Sequence, residues 1–296
     1  MPDHTESRHH LSDHHRSTVR QLLTHPRGTR MSTTEPPTMS ARRRLVRLLL
    51  ATTMAVPVML GIATDSAASL EVPGVSDVSL DAGHVSADAL PTVQINGVVW
   101  DQHIVGDTVY VAGSFSQARP AGSRPRTDEI PRANLLAYDL ITGDLIDGFV
   151  ADTNSDVMTV TSSPDGETLY VGGLFTSVNG STRNRIAALD PDTGAVLNSF
   201  QPRTNYRVND IVASDTTVYA GGLFYQAGGN TGDMQTRNNL AAFSAADGSL
   251  LAWAPPADEK VQTIALTDDD GTLFAGGYFQ NVNGVAVEGW ASIDAS

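Results

Sequence analysis

Residues Thr168–Phe175 read T-L-Y-V-G-G-L-F, and three other stretches carry the same pattern: Thr108–Phe115 (T-V-Y-V-A-G-S-F), Thr217–Phe224 (T-V-Y-A-G-G-L-F) and Thr272–Phe279 (T-L-F-A-G-G-Y-F). Thr, Val, Tyr and Leu favour a pleated strand. A glycine pair such as Gly172-Gly173, Gly221-Gly222 or Gly276-Gly277 permits either a close backbone approach or a positive φ where the strand ends. The stretch predicts a buried strand running into a tight corner, copied four times.

Each copy is divided by its own turn residues. In the second, Val157–Ser162 alternates as a strand, Ser163-Pro164-Asp165-Gly166 turns, and Thr168–Phe175 follows. Val178-Asn179-Gly180 opens a loop, Arg183–Asp190 contains a third strand, Asp192-Thr193-Gly194 turns, and Ala195–Phe200 is a fourth strand. The pattern is that of four short antiparallel strands. The closing Phe falls at 115, 175, 224 and 279, intervals of 60, 49 and 55, close to the roughly 40–50 residues of a four-stranded propeller blade with the excess in loops. The predicted fold class is therefore all-β, a β-propeller with blades at 93–152, 153–204, 205–256 and 257–296. The fourth copy reaches only its third strand, Trp290–Asp294, so the expectation is about three and a half blades, an open ring, and further blades or domains beyond the C-terminus. The longest insertions, Ala118–Pro131 and Gly228–Gln235, share one register between second and third strands, and the face they share is the expected binding face.

Ahead of the repeats the chain changes character three times. Residues 1–38 are rich in His and Arg without apolar periodicity and read as a disordered leader, or as an upstream extension with Met31 or Met39 as the true start. Residues 39–68 read as a signal peptide: Arg42, Arg43, Arg44 and Arg47 precede the apolar run Leu48–Ala63, and Ser66-Ala67-Ala68 offers a cleavage site. The run is short against the roughly 20 residues of a membrane span, which favours export with cleavage over a retained anchor. Ala41–Arg47 also resembles a twin-arginine signal, and the Sec route stays open. Residues 69–92 read as a linker.

Charge and composition exclude several function classes. Residues 1–68 hold nine Arg against five acids, whereas residues 69–296 hold ten Arg and Lys against 28 Asp and Glu, a net −18. Such a field disfavours nucleic acid and anionic membranes and suits solubility or cationic partners. With no Cys there is no disulfide, thiolate metal site or cysteine nucleophile. His84 and His103 are the only histidines after the signal peptide, and no G-x-S-x-G or H-E-x-x-H motif occurs.

The ordered unit T-L/V-Y-V/A-G-G-x-F, V-N-G, R-x-N/R-I/L-A-A-L-D, T-G and F-x-P, over about Val93–Ser296, resembles the delta-60 type propeller repeat of secreted, often multidomain actinobacterial proteins. That resemblance implies export and a surface or extracellular role and supplies no catalytic residues. Kelch repeats share the glycine pair but have later regularly spaced Tyr and Trp that this chain lacks. Quinoprotein propellers would want Trp where Asn198 stands, which argues against a quinone.

Among residues able to carry chemistry, Arg132, Arg183 and Arg237 recur just before the third strand, and recurrence argues that they tie each blade to its neighbour. Val287 takes their place in the fourth copy. Acidic turns are best read as hairpin chemistry; if one bound calcium it would be Asp268, Asp269 and Asp270. No other cofactor is expected. Tyr206, Tyr225, Trp253, Tyr278 and Trp290 suit stacking on sugars or peptides, but most fall at repeat positions and are expected in the core; Tyr206, in the loop Arg203–Arg207, is least explained by the repeat. Tyr206, Arg203, Arg207, Arg119 and Arg124 are accordingly the candidate binding residues. The expected function is an extracellular or cell-surface module that binds protein or carbohydrate, with no membrane span after cleavage. The alternative is a secreted hydrolase or lyase acting on polysaccharide or cell wall through carboxylates at the propeller axis.

Overall fold

The computed structural model describes residues 90–296. The predicted leader and signal peptide, and the linker up to residue 89, lie outside the described residues. Those described form β-strands, turns and connections, and no helix among them is long and apolar enough to cross a membrane.

Four antiparallel sheets follow one another along the chain, each with the glycine-pair strand in the middle. They comprise Val98–Val105, Thr108–Ser114 and Leu135–Asp139; Val157–Ser162, Leu169–Gly173 and Ile186–Leu189; Val208–Ala213, Thr217–Gly222 and Leu240–Ser244; and Val261–Leu266, Thr272–Gly277 and Trp290–Asp294. These are the blades of an all-β propeller whose ring is not closed. Third strands begin about three residues later than the sequence pattern suggests, because Asn134, Arg185 and Asn239 stand at φ of 68°, 75° and 67° and interrupt the extended run. Fourth strands are shorter than expected. In the second blade the outer segment makes two ladder bonds, Asp190 N to Ala195 O (2.8 Å) and Leu197 N to Ala188 O (2.9 Å), around the single bridge Leu189–Val196. The chain then turns inward, and Phe149, Phe200 and Trp253 reach Tyr110, Tyr170 and Tyr219, with centroids 5.3, 5.2 and 5.2 Å apart.

The glycine pair serves close approach and not positive φ. A Cβ on Gly172 would lie 2.7 Å from Val208 Cγ1 of the next blade, and one on Gly173 would lie 2.2 Å from Asp156 O, just before its own first strand. At the same level every first strand carries a bulge, between Val157 and Thr159 in the second blade. One glycine thus lets two blades meet, and the other lets two strands meet.

The core sits in the seams between blades. Val157, Val160, Leu169 and Val171 of the second blade pack on Tyr110, Ala112, Leu135 and Ala137 of the first, and similar clusters fill the next two seams. Burial of these side chains is the main driving force for stacking blades, at about 25 cal/mol per Å² of apolar surface. A second layer of pairings lies where the chain enters each blade: Gln94–Ile95, Thr153, Arg203–Thr204 and Ala257 pair with Gln117–Arg119, Val178, Gln226–Gly228 and Val282. Each entry is fixed by one side chain at a single register. Asn96, Asn154, Asn205 and Asp258 accept, through one oxygen each, from two successive backbone N–H groups just past the closing Phe, at 2.8–3.1 Å.

Candidate binding groove between the third and fourth blades

Two of these entry clamps flank a groove of about 550 Å³. Its walls carry Asn205, Tyr206, Tyr225, Asn238, Asp258 and Glu259. Tyr206 is 47% exposed and Tyr225 65% exposed. Both rings break the repeat: the register of Tyr206 holds Gly97, Ser155 and Glu259 in the other blades, and that of Tyr225 holds Ser116, Thr176 and Gln280. Their backbones are held rigidly. Asn205 Oδ1 accepts from Tyr225 N at 3.1 Å, and Thr204 Oγ1 donates to Tyr206 O at 2.7 Å. Asp258 receives the Asn281 side chain and the N–H groups of Asn281 and Gln280, which hold its carboxyl below the usual range and keep it ionised. Next to the groove, Lys260 Nζ lies 4.1 Å from the ring centre of Tyr278. The result is a mixed surface, with two aromatic faces for stacking and amide and carboxylate groups for hydrogen bonds.

Of the candidate binding residues, Tyr206 lines the groove and the arginines do not. Arg203 donates to the carbonyls of Gly229 and Gly232, and Arg119 donates to those of Ser123 (3.2 Å) and Ile95 (3.5 Å), so both hold the long insertions in shape. Arg124 is exposed on its loop, and Arg207 is half-buried beside the entry to the third blade. Arg132, Arg183 and Arg237 are buried and act within their own repeats. Nη1 of each donates to the preceding carbonyl, and Nη2 reaches Asp147 O, Asn198 Oδ1 or Leu251 O of the same copy. They tie the third strand to the outer segment and not one blade to the next.

The acidic turns bind themselves. Asp190 Oδ1 accepts from the N–H groups of Asp192 and Thr193 and from Thr193 Oγ1, and Asp269 Oδ1 accepts from Thr267 Oγ1 and Gly271 N. These donors depress both carboxyl pKa values. Asp268 and Asp270 are exposed beside Asp269, and among the described residues no three His, Asp or Glu side chains gather as metal ligands.

The expectation that the aromatics are core is corrected at three positions. Tyr225, Tyr278 and Trp290 are 65%, 68% and 61% exposed, because each stands at a blade edge or on a face that no other described blade covers. Trp253 follows the expectation and packs edge-on against Tyr219.

Sequence reading missed a second concavity, of about 230 Å³, lined by the first strands around the axis. At one register these strands present Asp101, Thr159, Asp210 and Thr263 in turn. Asp210 Oδ1 accepts from Ile211 N (2.9 Å) and Thr159 Oγ1 (3.2 Å), and Oδ2 accepts from Thr263 Oγ1 (2.8 Å) and Ile264 N (2.7 Å). Asp101 accepts from Gln102 N (2.8 Å) and, across the seam, from Val160 N (2.9 Å). Burial pushes the Asp210 carboxyl upward, opposed by the donors Ile264 N, Thr263 Oγ1 and Thr159 Oγ1 and aided by the charge of Asp101. The two acids fall 109 positions apart in the sequence, one copy of the repeat between them lacking the acid, which is the signal that would have found them.

No family model matches the sequence, and no curated protein does. Among solved structures the chain is similar to the computationally designed Ika4 protein, at 12% identity and a TM-score of 0.45 over 68% of this chain and 93% of that one. It is also similar to the WD40 β-propeller domain of Doa1 (16%, 0.40, 61% of this chain and 48% of that one) and to the RRP9 WD40 repeats (10%, 0.41, 69% and 55%). The chain spans about half the length of those WD40 structures. These likenesses concern the fold alone.

Proposed function

We propose that the protein is an exported, extracellular or cell-surface β-propeller module that binds a glycan at the groove between its third and fourth blades. The observation that carries this reading is the pair of exposed rings, Tyr206 and Tyr225, on one concave surface beside Asn238, Asp258 and Glu259. Sugar rings offer apolar faces for stacking and hydroxyls for amides and carboxylates, so this mixture suits them. The basic apolar segment at 39–68 supports export. Both axial carboxylates are occupied by donors that hold the blades together, which favours a binding role over hydrolysis or lysis of polysaccharide.

The test is calorimetric titration of the full chain with soluble cell-wall and polysaccharide fragments. Tyr206→Ala and Tyr225→Ala are each expected to weaken binding about tenfold or more, the loss of one aromatic stacking contact and its buried area. Binding that survives both substitutions would refute the groove. Turnover of the fragments, lost in Asp101→Asn, would favour the enzyme instead.

A further inference from the structure

Each first strand swells by one residue at the same place. The residues skipped by the ladder are Trp100, Met158, Asn209 and Gln262, each between a Val and the Asp or Thr of the axial register. A bulge leaves its extra residue unpaired and re-aims the side chain. Two successive residues of every first strand therefore line the axial concavity of about 230 Å³. The register before the bulge holds Val in all four copies and the one after it holds only Asp or Thr, whereas the bulge register holds four different residues. Packing of the repeat does not explain that variety.

Asn209 is the most informative of the four. It is only 5% exposed, and its Nδ2 donates to Val261 O of the next blade at 2.6 Å, while its Oδ1 has no donor. Among the described residues it is the one buried side-chain acceptor in that state; the other buried side-chain atoms without a partner are arginine Nε donors. Buried acceptors are otherwise paired, because desolvating one without a donor costs free energy. An unpaired acceptor in the wall of a concavity marks a place for a donor from outside the chain.

The surroundings specify the charge of that donor. Asp101 and Asp210 line the same concavity, and their N–H and hydroxyl donors hold the carboxylates in place without cancelling their charge. Arg132 with Asp147 is the one ion pair among the described residues, so neither axial acid has a cationic partner. The two acids are near enough for the charge of Asp101 to push the Asp210 carboxyl upward. Trp100, 50% exposed, adds an indole to the lining, and its face attracts cations. Size and donor count argue against a bare metal ion. One water takes a share of about 30 Å³, so the space holds roughly seven groups of that size. Calcium wants six to eight oxygens, and each Asp210 oxygen already accepts from two donors. An alkylammonium ion meets every condition, with N–H donors for Asn209 Oδ1, positive charge for the two acids, and a carbon stem for Trp100 and Met158.

We propose that the axial concavity binds a primary alkylammonium group, with Asn209 Oδ1 accepting from it, Asp101 and Asp210 supplying the negative field, and Trp100 the ring face. The group is carried by a free diamine or by a lysine side chain, which present the same head and stem. This site is separate from the groove of Tyr206 and Tyr225 and does not rest on that reading.

Calorimetric titration of the full chain with cadaverine, and with lysine blocked at its α-amino and carboxyl ends, tests this. At least one is expected to bind one to one. Cadaverine alone would assign the site to free diamines, and blocked lysine would assign it to lysine side chains. 1-Pentanol, which has the stem without the charge, should not bind. Asp101→Asn and Asn209→Leu are each expected to weaken amine binding about tenfold or more, for loss of field and of acceptor. Trp100→Ala should weaken it about fivefold, and because it removes an exposed ring it keeps the test open should the other two fail to fold by circular dichroism. Tyr206→Ala should leave it unchanged. No binding of either amine at millimolar concentration, binding of calcium without binding of amine, amine affinity unchanged in Trp100→Ala, or loss of amine binding in Tyr206→Ala would each overturn the proposal.

Discussion

Gly173 is the position at which the repeat can be tested most directly. A Cβ there would stand 2.2 Å from Asp156 O and 3.0 Å from Val157 Cα, so Gly173→Ala forces the two strands roughly an ångström apart. Neither strand is free to yield. Asp156 O accepts from Leu174 N at 2.9 Å on one side, and Gly173 N donates to Arg185 O at 3.0 Å on the other. Overpacking costs about 1–3 kcal/mol, and the loss of one of these bonds adds about 0.5–1.5 kcal/mol. The reduced entropy of the unfolded chain returns about 0.4–1 kcal/mol. The net expectation is a destabilisation of about 1.5–3.5 kcal/mol, or a fall in Tm of about 5–10 °C for a domain of this size. Gly148→Ala is the control, since Gly148 has ordinary φ and nothing within 4 Å of the added methyl; it is expected to be neutral or slightly stabilising. Urea unfolding followed by circular dichroism measures both. If Gly173→Ala unfolds within about 0.5 kcal/mol of the wild type, the close-approach account of the glycine pair is wrong.

Asn154→Ala removes the acceptor for Thr176 N and Ser177 N and should cost about 1–3 kcal/mol by urea unfolding. Arg183→Lys cannot reproduce the two bonds to Thr182 O and Asn198 Oδ1 and should cost about 1–3 kcal/mol, with groove binding unaffected in a titration run below the melting range. In the pH range above the carboxylates, stability should decline as pH falls through 6.5. Burial holds the His103 pKa below that value, so the unfolded chain binds the proton first; His103→Gln, which retains a partner for Ser162, should flatten that limb of a Tm-against-pH curve. A second decline should follow below pH 3.8, where Asp139, Asp165, Asp190, Asp258 and Asp269, all depressed by turn and clamp donors, must take up protons; Asp210, shifted upward by burial, acts in the opposite sense.

The fold was legible because its determinants are local and copied. Strand-forming residues, Asp-Gly turns and the glycine pair recur in one order, and four copies outweigh any single ambiguous stretch. What escaped was whatever depends on a partner distant in sequence. The entry clamp joins Asn154 to Thr176, 22 positions away, and each of its members is an ordinary polar residue on its own. Asp101 and Asp210 looked like two acids among many, because only stacking of the first strands brings them to one axis. The arginines are legible as repeated, but not their direction: position before a strand does not say whether a long side chain turns back into its own blade, as these do, or across to the next. Tyr206 stands out because the repeat leaves it unexplained, whereas Tyr225 falls at a repeat position and so reads as core, although the other copies have Ser116, Thr176 and Gln280 there.

That contrast suggests where function is written in a copied fold. At a register where three blades agree, the residue answers to packing, as Ile186, Leu135 and Leu240 do, and its identity says nothing about a ligand. At a register where one blade departs, the departing side chain must be tolerated by a surface that the repeat does not cover. Tyr206, in a register otherwise filled by Gly, Ser and Glu, meets that condition at the groove. Trp290, in a register otherwise filled by Leu and Ile, meets it at the open face. A Trp would overfill the seams that the smaller side chains close, since each seam is packed with no exposed surface at that register. Its presence in the fourth blade alone therefore sets that face apart from the three described seams, where Leu135, Ile186 and Leu240 hold the same register.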